Sequence, residues 1–141
     1  MEQVMVNSRD QGASFERLIC TLINKHLISA KDEPAKRNLD QTREGGCDII
    51  FKKFAIECKF YKQGKNNWAQ EQWWDQACKS AGDTYVPVLI YKYNLKPIRI
   101  VLPVHVIDPK QPINNDVHLH CELRTLCKDL KKIIKNADNI L

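Results

Sequence analysis

In FAIECKF, residues 54–60, a carboxylate and an ammonium stand two positions apart, at Glu57 and Lys59. Alternation along an extended chain puts both on one face with Ala55 and Tyr61, opposite Phe54, Ile56, Cys58 and Phe60. Asp48 sits in the preceding apolar run, CDIIF, and Lys52-Lys53 marks a tight turn between the two runs. A hairpin then brings the Asp48 carboxylate beside Glu57 and Lys59. Hard divalent cations such as Mg²⁺ take carboxylate oxygens and keep several waters, and acids converging on a phosphodiester supply metal-assisted hydrolysis. In that chemistry Asp48 and Glu57 hold the metal and the backbone carbonyl of Cys58 adds an oxygen. Lys59 stabilises developing negative charge or orients the attacking water. An ExK pair alone also fits a solvated strand face with a weak ion pair, so the surrounding elements decide.

Phe15, Leu18, Ile19, Leu22 and Ile23 recur at three and four, which predicts a helix from Ala13 to about Leu27. Ser14 or Ser8 is its cap, Gly12 suits the turn before it, and Glu16 falls in the first turn at the edge of the apolar face. A first-turn acid also favours the helix dipole, a competing role for Glu16. Residues 28–38 are polar, contain Pro34 and read as a loop. Strands follow through LDQTREGG, CDIIF and FAIECKFY, with Gly45-Gly46 at a bend. After the polar stretch KQGKNN, Trp73, Trp74, Ala77 and Cys78 predict a helix over 68–81, stopped by Gly82. VPVLIYKY reads as a strand covered on both faces, paired through NLKP with IRIVLPV. Leu123, Leu126, Cys127, Leu130, Ile133 and Ile134 predict a last helix from Cys121 to Asn136. Helix, three strands, helix, two strands, helix is an α/β arrangement on a mixed sheet.

The 141 residues suit one domain, 1–141, and 43% hydrophobic content is enough for a core. A net charge of +5 is compatible with a polyanionic partner. No apolar run nears the ~18 residues of a membrane span, and the N-terminus lacks a signal-peptide pattern, so a soluble, cytoplasmic protein with no membrane partner is expected. Six cysteines without a CxxC pair read as reduced and mostly buried. His118, His120 and Cys121 form HLHC, which carries zinc-ligand types but has no second cluster at finger spacing, so a structural role is expected.

With the elements in place, GGCDIIFKKFAIECKFYK resembles the D…(D/E)xK core of the PD-(D/E)xK nuclease superfamily. The resemblance implies a restriction-endonuclease-like αβββαβ core with a central mixed sheet flanked by helices, plus a C-terminal helix. It implies Mg²⁺ as cofactor, with Mn²⁺ as the alternative ion. Asp48 matches the first motif acid, Glu57 and Lys59 match ExK, and Glu16 matches an additional catalytic and metal-binding glutamate on the opening helix. Gly46 and Cys47, not proline, precede Asp48. GASFERLICTLI, TREGGCDI and IECKFYK are most similar to archaeal and phage Holliday junction resolvases, with Gly12, Glu16 and Arg17 fitting G-x-x-x-E-R. The resemblance spans roughly residues 12–105.

In several nuclease lineages a glutamine on the helix after ExK reaches the metal, which points here to Gln76 or Gln72. Trp68, Trp73 and Trp74 have base stacking at a branch point as one role and core or dimer packing as the other. Arg17, Arg43, Lys62 and Lys65 are the expected phosphate contacts, Arg43 having a local ion pair as its rival role. The implied activity is an endodeoxyribonuclease nicking four-way junctions symmetrically, as a homodimer because two strands are cut about a two-fold axis. The rivals are a DNase acting on duplexes, flaps or ends, and an inert DNA-binding module.

Overall fold

The structure is a computed structural model that describes residues 8–27, 32–39, 46–62, 68–126 and 129–140, without the side chains of 8–10 and 140. The first helix, α1 (Ser8–His26), buries Phe15, Ile19 and Ile23. It starts upstream of the apolar pattern, so Gly12 lies within it rather than in a preceding turn. Glu16 is therefore about two turns in. Helix-dipole effects fade within the first turn, so the dipole role expected for Glu16 does not apply.

A short strand, β1 (Lys36–Arg37), occupies the segment expected to be a loop, pairing antiparallel with β2 (Ile49–Phe51). A two-residue strand beside Pro34 has no periodicity to read. What holds it is the Asn24 side chain of α1, which accepts from Ala35 N–H at 2.7 Å and donates to Ala35 O at 3.3 Å. The strand expected through LDQTRE falls mostly outside the described residues. β2 turns through Lys52-Lys53 into β3 (Phe54–Tyr61) as a hairpin, with Lys52 at φ 52°.

β3 pairs in parallel with β4 (Val86–Tyr93), from Phe54 against Val86 to Tyr61 against Tyr93. Parallel neighbours need a crossover, supplied here by α2 (Glu71–Ala81). β5 (Arg99–Pro103) returns antiparallel to β4 as expected, followed by a helical turn, α3 (Val104–Ile107). The predicted helix from Cys121 does not begin there. His118–Glu122 form an edge strand, β6, on β5, because the His-Leu-His-Cys-Glu alternation suits an edge. Then come α4 (Leu123–Leu126) and α5 (Leu130–Ile140). The described strands make one mixed sheet in the order β1-β2-β3-β4-β5-β6.

Phe54, Ile56, Val88, Ile90, Ile100 and Leu102 meet α1 and α5 on one side of the sheet. On the other, Leu89, Tyr91, Tyr93 and Val101 meet Trp73, Trp74 and Ala77 of α2. No described helix is long and apolar enough to cross a membrane.

Candidate active site

Asp48 is positioned by its neighbours on both sides. Its N–H donates to Ile56 O of β3 at 3.0 Å, and its carbonyl accepts from Asn38 N–H at 2.8 Å. Cys58 runs past the last paired residue of β2, and its N–H donates to Asp48 Oδ2 at 2.8 Å. The carboxylate thereby takes over a ladder position and is fixed at the end of the hairpin. In an extended residue N–H and C=O point the same way, so the Cys58 carbonyl faces the Asp48 side as well.

Glu57 shares its strand face with Ala55, Lys59 and Tyr61, as alternation requires. That face is not open along its length. α2 covers its first half, leaving Ala55 0% and Glu57 2% exposed, whereas Lys59 is half-buried and Tyr61 exposed. Burial pushes the Glu57 carboxyl up to about 8. The Asp48 carboxylate raises it further by its charge and by a hydrogen bond to it, while the Ser80 hydroxyl and the Lys59 ammonium pull it down. Without a cation, Glu57 thus carries a proton near neutrality. Two acids packed together at the mouth of a core need added positive charge before both can ionise.

This donor set fits a hard divalent cation. Asp48, Glu57 and the Cys58 carbonyl would supply oxygens to such an ion, and Mg²⁺ is commonly bound through one or two carboxylates with several waters kept. The described residues contain no group of three or more His, Cys, Asp or Glu side chains arranged to hold a metal. Glu16 is accordingly not gathered with Asp48 and Glu57 into a three-carboxylate cluster. Its Oε2 accepts from Arg37 Nε at 2.8 Å. Burial raises its carboxyl, the Arg37 bond opposes that, and the Asp48 charge raises it again, which puts Glu16 within electrostatic reach of the site.

Gln76 is exposed on α2, four residues before Ser80 and so on the flank of the helix that reaches Glu57. Gln72 is turned to Gln70, donating to its Oε1 at 2.8 Å. Arg17 and Lys62 are exposed, while Arg43 and Lys65 lie outside the described residues. Trp73 and Trp74 are only 3% and 6% exposed, so neither stacks on a base; Trp68 is 51% exposed. His118 packs its ring on Trp74, with centroids 4.8 Å apart, and His120 lies against His118. That packing gives the HLHC segment a structural role. Burial pushes the Cys47 thiol up to about 11 and the Cys58 thiol well above its ordinary value, so both stay protonated.

Sequence reasoning missed two partners of the acids. Ser80 was legible as the i+4 neighbour of Gln76, but Arg37 lay in a segment with no readable period.

Residues 7–138 match the model of the family described as "Phage putative PDDEXK endonuclease". No curated protein matches the chain. Among solved structures, the chain is similar to Archaeoglobus fulgidus Hjc, a Holliday junction resolvase from an archaeal hyperthermophile. The TM-score is 0.51 at 16% identity, over 85% of this chain and 98% of that one. The mixed sheet with flanking helices, the C-terminal helix included, is the restriction-endonuclease-like fold of that structure.

Proposed function

The chain belongs to the phage PDDEXK endonuclease family, and we propose that it is a Mg²⁺-dependent endodeoxyribonuclease that resolves four-way DNA junctions by paired symmetric nicks. The observation that carries this reading is the Asp48–Glu57 carboxylate pair, with Asp48 held by the Cys58 N–H and Glu57 sharing the β3 face with Lys59. Mg²⁺, or Mn²⁺ in its place, supplies Lewis acidity toward a phosphate oxygen and a more acidic water. Asp48, Glu57 and the Cys58 carbonyl would hold the ion. With such a cation bound, Glu57 would be held ionised, because the added positive charge offsets burial and the repulsion from Asp48.

Lys59, at the half-open end of the strand, directs its ammonium at the scissile phosphate, stabilising charge as water attacks phosphorus, or orients that water. The P–O bond to the departing sugar oxygen breaks, and that oxygen takes up a proton from solvent. Glu16 acts as an additional acid at the site, its carboxylate steered by Arg37. Gln76 reaches in from α2 beside Ser80. Arg17, Arg43, Lys62 and Lys65 grip phosphates, which makes binding salt-sensitive and shape-selective. Two strands cut symmetrically require two sites about a two-fold axis, hence a homodimer. The reaction belongs in the cytoplasm of the bacterial or archaeal host, where the DNA lies.

Similarity in fold to a junction resolvase supports the choice of substrate. The test is cleavage of an end-labelled four-way junction beside a duplex of identical sequence. Paired nicks at symmetric positions of the junction, and an intact duplex, are expected. Equal cutting of the duplex would leave a nuclease of another specificity, and end-dependent loss would mark an exonuclease.

A further inference from the structure

The aromatic side chains around α2 form a row with a buried middle and exposed ends. Trp73 lies against Tyr91 and Tyr93, with ring centroids 5.9 and 6.0 Å apart. At one end Tyr61 stacks on Trp73, with centroids 5.1 Å apart and planes 23° from parallel. At the other is Trp68, under the Arg99 guanidinium at 4.3 Å, its carbonyl accepting from the Tyr93 hydroxyl at 2.9 Å. Both end rings show large apolar area, Tyr61 44% and Trp68 51% exposed.

Tyr61 is the informative end. It lies on the Glu57–Lys59 face of β3, two residues beyond Lys59. Two strand residues advance ~6.6 Å, about twice the ~3.4 Å axial rise per base of a stacked strand. A phosphate engaged by Lys59 therefore has a base within about two nucleotides of it in reach of the Tyr61 ring. The ring is backed by Trp73 and needs no reordering to receive a base. Bases inside a duplex are already stacked on each other and cannot meet it, whereas a base freed at a branch point or in a single strand can.

We propose that Tyr61, braced on Trp73, is a stacking platform for an unpaired base within about two nucleotides of the scissile phosphate, so that the site takes DNA with unpaired nucleotides close to the point of cutting. This rests on the nuclease reading for the position of the phosphate, but its test does not depend on cleavage.

Full-length Asp48→Asn protein, in EDTA, is mixed with oligonucleotides carrying 2-aminopurine in a single strand, in a matched duplex and at the branch of a four-way junction. Stacking quenches the 2-aminopurine in the first and third but not in the duplex. Adding Tyr61→Leu removes the quenching and weakens single-strand binding about 5- to 150-fold, the scale of one stacked base, with duplex affinity unchanged. Tyr61→Phe retains both. Unaltered quenching and affinity in the Leu variant would overturn the proposal. So would an equal loss on duplex, which would mean that Tyr61 acts through the fold or the phosphate grip. A wild-type chain that cuts nothing would instead sink the nuclease reading, leaving the stacking result to stand or fall on its own.

Discussion

The sharpest consequence of a buried acid pair is a pH dependence of stability that one substitution removes. Folding raises Glu57 from the ordinary 4.5 to about 8. Below the unfolded value the carboxyl is protonated in both states and folding carries no penalty. Between the two values only the folded protein holds the proton, so stability falls as pH rises, at up to about 1.4 kcal/mol per pH unit. Above the folded value the loss is complete and the curve flattens. The interval sets an upper limit on the order of 5 kcal/mol, reduced to a few by relaxation and water entry. Against a typical total of ~5–15 kcal/mol that is readable.

The assay is urea unfolding followed by tryptophan fluorescence in EDTA, from about pH 5 to about pH 9, for wild type and Glu57→Gln. Histidine titrations are common to both proteins and cancel in the difference. Wild type should lose stability across the interval relative to Glu57→Gln, and excess Mg²⁺ should restore it at the alkaline end, where the ionised pair binds the ion. Parallel curves for the two proteins would refute the reasoning, because Glu57 would then not be held protonated by burial and Asp48.

Lys59→Ala should lower the cleavage rate at least ~100-fold, the scale of a lost transition-state donor, while Mg²⁺ binding measured by calorimetry persists. Arg37→Ala should destabilise the fold by about 1–3 kcal/mol in urea unfolding, since it leaves the mostly buried Glu16 carboxylate without its 2.8 Å partner. Among the described residues the buried Tyr91 hydroxyl has no hydrogen-bond partner. Tyr91→Phe should therefore be neutral or stabilising by up to ~1–3 kcal/mol, read as a rise in the thermal midpoint.

Much of the site was legible because strand alternation is strict. Once FAIECKF is a strand, Glu57 and Lys59 must share a face, and the Lys52-Lys53 turn sets Asp48 beside them. Alternation could not say how open that face is. Its burial depends on α2 lying over Ala55 and Glu57, a packing decision made by Trp73, Trp74 and Ala77 at a distance along the chain. α1 begins at Ser8, the earlier of the two expected starts, and not at Ala13, a choice the pattern could not make because the first residues carry no apolar stripe. β1 was invisible because two residues have no period, and its partner Asn24 acts from another element. Of the helix predicted from Cys121, the first two residues, Cys121 and Glu122, belong instead to the edge strand His118–Glu122, because Cys121 and Leu123 join a helical spacing as easily as a strand one.

The central claim is that Asp48, Glu57 and Lys59 form one metal-dependent hydrolytic centre. Its most direct test is single-turnover cleavage of a labelled junction over a Mg²⁺ titration, for wild type and Asp48→Asn at saturating protein. The account predicts strand cleavage that rises with Mg²⁺, vanishes in EDTA and is lost in Asp48→Asn, whose amide oxygen still accepts the Cys58 N–H and keeps the fold. Cleavage by Asp48→Asn at the wild-type rate, or cleavage undiminished in EDTA, would contradict it.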